Sequence, residues 1–108
     1  MTSMAEFPFA GKTFRLEYDG SILTLEYSSE NDTVSYVTVN GLGESESAQV
    51  KFKWKRLEAG NYLISWQQHD GTTVVHVDNL QSASSDAFRT SPDGTFVHLE
   101  GRLKEEKL

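Results

Sequence analysis

Apolar and polar residues alternate one by one through almost the whole chain. Phe14, Leu16 and Tyr18 fall on one side of a run whose other side is Thr13, Arg15 and Glu17. Leu23, Leu25 and Tyr27 stand against Ile22, Thr24 and Glu26, and Tyr62, Ile64 and Trp66 against Leu63, Ser65 and Gln67. The cleanest case sets Val50, Phe52 and Trp54 against Lys51, Lys53 and Lys55. Successive side chains of a strand point to opposite faces, so a period of two specifies strands with one buried face. No stripe at i, i+3, i+4, i+7 competes over a useful length. The chain reads as all-β.

Turn chemistry interrupts the alternation. Asp19-Gly20 and Asp70-Gly71 offer the positive φ that a tight hairpin needs. Glu30-Asn31-Asp32, Ala59-Gly60-Asn61 and Ser91-Pro92-Asp93-Gly94 are further turn segments, and longer connections cover 40–47 and 81–85. These breaks predict eight strands, near 12–18, 21–28, 33–40, 49–58, 61–68, 72–80, 85–91 and 95–103. Short links between neighbours favour an antiparallel meander. An open meander leaves two unpaired edges, and closure removes them. The expected architecture is an eight-stranded antiparallel up-and-down barrel over 11–103, with a two-sheet sandwich as the alternative. Residues 1–10 read as a lead-in whose Phe7 and Phe9 either plug one mouth or fray, and 104–108 as a solvated tail.

With 108 residues the chain suffices for one domain. Its net charge of −6 opposes a nucleic-acid or anionic-membrane surface, which needs clustered Lys and Arg. The absence of Cys removes thiolate nucleophiles and Cys-based metal sites. No segment approaches the roughly 20 apolar residues of a membrane span, and Met1 to Pro8 lack the pattern of a secretory signal. A cytoplasmic location is the resulting expectation.

Gly11-Lys12-Thr13-Phe14, Tyr62-Leu63-Ile64-Ser65-Trp66 and Gly71-Thr72-Thr73-Val74-Val75-His76-Val77 resemble the MoaF-like family, as does the turn Ser91-Pro92-Asp93-Gly94-Thr95-Phe96. The resemblance runs from about Gly11 to Leu103. It implies a lipocalin-like, calycin-type barrel with an internal site for a small molecule, and it supplies no reaction. The stretches around Tyr18-Asp19-Gly20 and Ser65-Trp66-Gln67-Gln68 are also similar to phenolic acid decarboxylase. The residues that enzyme family would need are not matched. Gln68 stands where a carboxylate is expected, Leu16 replaces one of two tyrosines, and no Arg lies between Val34 and Gly43. The likeness therefore carries the fold without that activity.

Two His-x-acid pairs, His76 with Asp78 and His98 with Glu100, are the candidates for acid–base chemistry, because each couples an imidazole to a carboxylate on one strand face. Their facing stays open. If Val75, Val77, Val97 and Leu99 form the core, all four polar groups are exterior; if Val74 and Phe96 do, both His point inward. No recognised metal-ligand spacing occurs, and neither a metal nor a cofactor is expected. Tyr18, Tyr36, Trp54, Tyr62 and Trp66 are expected in the interior, either as packed core or as walls for a flat ligand. Arg56 and Gln68 continue the faces of Trp54 and Trp66 towards one mouth, where with His76 they would orient that ligand.

Three functions remain. The first is binding of a hydrophobic or aromatic small molecule through Tyr18, Tyr36, Trp54, Arg56, Trp66, Gln68 and His76. The second is a cofactor-independent isomerase, cyclase or lyase using a His–carboxylate pair. The third is a filled, dimeric adaptor with an apolar outer patch of Val37, Val39, Val75 and Val97.

Overall fold

Each alternating run becomes one strand, and the strands follow in chain order: β1 (Thr13–Tyr18), β2 (Ser21–Tyr27), β3 (Thr33–Asn40), β4 (Ser45–Arg56), β5 (Asn61–Gln67), β6 (Thr73–Asn79), β7 (Ser84–Thr90) and β8 (Phe96–Glu106). The computed structural model describes residues 7–30 and 32–106. All neighbours pair antiparallel, and β8 returns to β1, closing the barrel. Closure rests on the pairs Leu16↔Leu103 and Tyr18↔Gly101, which satisfy the backbone groups an open sheet would leave at its edges. No helix occurs among the described residues, and none is long and apolar enough to cross a membrane.

Two expected boundaries move by more than two residues. β4 begins at Ser45, within the expected long connection, because Asn40 closes a tight turn by accepting the amides of Leu42 and Glu44 on its side-chain oxygen. Residues 104–106, expected as tail, continue β8 as the partners of Arg15, Phe14 and Thr13. Without them the first half of β1 would have β2 alone. The hairpins at Asp70-Gly71 and Asp93-Gly94 share one device. Each carboxylate accepts an amide two residues on, from Thr72 or Thr95, at 2.9 Å. Those bonds hold both carboxyls below the usual range. The following glycines take φ of +96° and +89°, which a side chain would strain.

One end of the barrel is shut by the lead-in. Phe7 and Phe9 are buried, with Phe7 4.8 Å from Trp54 and 5.2 Å from Tyr27 and Phe52, and Phe9 4.6 Å from Phe14 and 5.6 Å from Tyr62, between ring centroids. The core continues inward through Leu16, Leu25, Val34 and Ile64.

Candidate functional site

The register decides which polar residues share the interior. On β6, Val74, His76 and Asp78 are buried, so Val75 and Val77 face outward. On β8 the phase is reversed: Leu99, Gly101 and Leu103 form the inner row, while His98 and Glu100 lie on the exposed face. The two His-x-acid pairs are therefore divided by the barrel wall. The outer one gathers with Asp86, from β7, so that ligand atoms of Asp86, His98 and Glu100 lie within 4.8 Å of one another. There His98 stacks on Phe88 at 4.4 Å and bonds Asp86 at 3.1 Å. The proposed outer patch also divides, since Val97 shares the inner row of β8 while Val37 and Val39 are exposed.

The inner pair is a tight one. His76 Nδ1 lies 2.8 Å from Asp78 Oδ1, and both side chains are 0% exposed. A carboxylate only accepts, so in a contact with carboxylate Asp78 the His76 Nδ1–H is the donor and Nε2 is the ring nitrogen left over. His76 Nε2, Asp78 Oδ2, Tyr27 Oη and Trp66 Nε1 are all buried without a hydrogen-bond partner among the described residues. The edge of one ring of the Trp66–His76 pair meets the face of the other at 5.1 Å, and Trp66 stacks on Tyr36 at 6.1 Å. Burial raises the Tyr27 phenol well above its ordinary value, and the charge of Asp78 pushes the same way.

Tyr18 reaches this region by crossing a strand. Gly101 stands between Tyr18 and Ser85 in the register. With no side chain there, the Tyr18 ring lies against the β8 backbone and Tyr18 Oη meets Ser85 Oγ at 3.0 Å. Burial, as the main cause, raises the Tyr18 phenol too. Ser85 carried no signal in the sequence, because Ser85, Ala87 and Arg89 alternate with only one apolar member.

The end opposite Phe7 and Phe9 keeps a recess of about 50 Å³. Tyr18, Leu23, Trp66, Val74, Ala87 and Leu99 wall it, and Ser21, Thr38, Gln68 and Arg89 supply polar groups. Tyr18, Trp66 and Gln68 thus line one recess, and His76 is the next inward residue after Val74 on β6, paired in register with Ala87. Trp54 and Arg56 do not join them. β4 and β5 run antiparallel, with Phe52 opposite Trp66 and Arg56 opposite Tyr62, so moving past each tryptophan leads to opposite ends. The guanidinium at the recess is Arg89, on β7, which its exposed strand end concealed.

No curated protein matches the chain. Among solved structures, the crystal structure of a "putative beta-lactamase" from Burkholderia vietnamiensis superposes with a TM-score of 0.89 at 32% identity, covering 95% of this chain and 100% of that one. The MoaF-like family profile matches residues 10–104, which covers all eight strands except the last two residues of β8. The closed eight-stranded meander and this match together place the protein in the MoaF-like family.

Proposed function

We propose that the protein binds a small, flat, largely apolar molecule in the recess between Tyr18 and Trp66, with Arg89 or Gln68 orienting its polar edge. The supporting observation is the asymmetry of the two ends. Large rings fill one end, whereas the other keeps an unfilled recess with aromatic walls and polar tips. A buried water occupies about 10–15 Å³ of such space. A recess of about 50 Å³ therefore takes only a few heavy atoms, and the rest of a ligand would rest on the rim. The Trp54→Phe variant leaves Trp66 as the sole tryptophan. Titrating it with benzoate and neutral benzene derivatives should change Trp66 emission saturably, and Ala87→Leu, which fills the recess, should abolish the response. A folded protein that never responds, or a response that survives Ala87→Leu, defeats the reading.

A second reading is acid–base catalysis by His76 on a molecule held in the same recess. Its support is the buried dyad, whose His76 is paired in register with Ala87 of the recess wall and has no partner for Nε2 among the described residues. Beta-lactamase chemistry has less support. The Ser-x-x-Lys of the serine enzymes occurs nowhere in the sequence.

A further inference from the structure

β4 outruns its neighbour. Residues Phe52–Arg56 pair with Tyr62–Trp66 of β5, but Ser45–Lys51 pair with β3 alone. β5 ends at Gln67 and turns away, closed by the Gln68 amide donating to the Thr72 carbonyl at 2.7 Å. Among the described residues no strand occupies the place that a longer β5 would take. The Phe52 amide donates to the Asp32 carbonyl, on the β3 side, at 3.0 Å. Backbone groups alternate sides along a strand, so those of Ser47, Gln49 and Lys51 face the vacated side. A broad, open trough of about 650 Å³ lies beside Gln49 and Lys51. Its lining includes the buried residues Val50 and Trp66 together with Lys51, Lys53 and His69. None of its lining residues is acidic, in a chain with sixteen Asp and Glu, and the one carboxylate on the free edge, Glu46, lies outside the trough.

We propose that this edge accepts an extended acidic segment of a partner protein, added as a strand antiparallel to β4. The seven residues of the free edge span roughly 23 Å at about 3.3 Å each, matching a short peptide strand. In that strand every second residue would stand beside the outward row that holds Lys51 and Lys53, and the others beside Val50 and Trp66. The fitting sequence alternates Asp or Glu with apolar residues. Lysines also keep copies of an edge apart, and a second copy of this chain would bring another body of net charge −6. The same cations that repel a basic edge attract an acidic one.

The test uses the full chain and a fluorescein-labelled (Glu-Val)4 peptide, read by anisotropy. Binding should weaken with added salt and exceed that of (Lys-Val)4 or of a (Glu-Val)4 peptide N-methylated at alternate residues. The double variant Lys51→Glu/Lys53→Glu should lower affinity roughly tenfold or more. Gln49→Pro removes one free edge amide without touching a β3 bond, and should cost about fivefold, the net worth of one hydrogen bond. Equal binding of the Glu and Lys peptides, or no binding by folded protein, overturns the proposal. So does sedimentation showing a dimer that Gln49→Pro dissociates, since the edge then belongs to a second copy.

Discussion

Replacing Gly101 with Ala should destabilise the protein even though the residue lies mid-strand, where Ala is ordinarily the better choice by about 0.5–1 kcal/mol. Gly101 has no positive φ, so the effect is purely steric. A Cβ built there comes within 2.5 Å of Tyr18 Cδ1 and overlaps the Glu17 carbonyl oxygen, which belongs to the closing ladder and cannot swing aside. Overpacking of this kind costs about 1–3 kcal/mol. Displacing Tyr18 also breaks its contact with Ser85, worth about 1 kcal/mol more. Set against the strand gain, the net loss is about 2 kcal/mol, a large share of a typical 5–15 kcal/mol stability. Urea unfolding followed by tryptophan emission should show a lower midpoint at unchanged m, and the melting temperature should fall on the order of 10 °C. Tyr18→Phe should cost about 1 kcal/mol alone and add less than that to Gly101→Ala, because both remove the same bond. A Gly101→Ala protein as stable as the parent, or fully additive losses, would refute the account of how β1 and β8 close.

The Tyr27 hydroxyl is buried and unpartnered, so Tyr27→Phe should leave stability unchanged or raise it by up to about 1 kcal/mol in urea unfolding. Tyr18 and Tyr27 both ionise less readily folded than unfolded, so above the ordinary tyrosine value the unfolded chain is favoured by releasing protons that the native state must keep. Stability should therefore fall as pH rises above about 10, the ordinary tyrosine value, with phenolate absorbance appearing only as the protein unfolds. Asp78→Ala should cost about 1–3 kcal/mol by leaving the His76 Nδ1–H buried without its acceptor, whereas His76→Leu/Asp78→Leu should cost less in the same assay. Ala83 holds φ at +56°, and Ala83→Gly should raise the melting temperature by relieving roughly 1 kcal/mol of left-handed strain.

The arrangement of strands was legible because alternation and turn chemistry are local. Val50-Lys51-Phe52-Lys53-Trp54 can satisfy its faces only as a strand, and Asp70-Gly71 only as a turn. The inward facing of Leu16, Tyr62 and Trp66 followed from the same pattern. His76 and His98 were not separable that way. Each sits in a run where both faces carry apolar residues, Val75 and Val77 against Val74, and Phe96 against Val97 and Leu99. Only pairing with Ile64 on β5 and Ala87 on β7 fixes His76 inside, just as pairing with Phe88 turns His98 out.

The sequence by itself determined eight strands, their order and their antiparallel sense, since each depends on a few neighbouring residues. The tertiary structure decided which residues share an end of the barrel. Strand direction reverses at every turn, so Arg56 and Gln68, which look equivalent along their own strands, lie at opposite mouths, and Arg89 takes the place by the recess. It also decided where the sheet runs out of partners, because the free edge of β4 exists only by comparison with the point at which β5 turns. A side chain's face is a property of its own strand, whereas its company is set by the register of the strands around it.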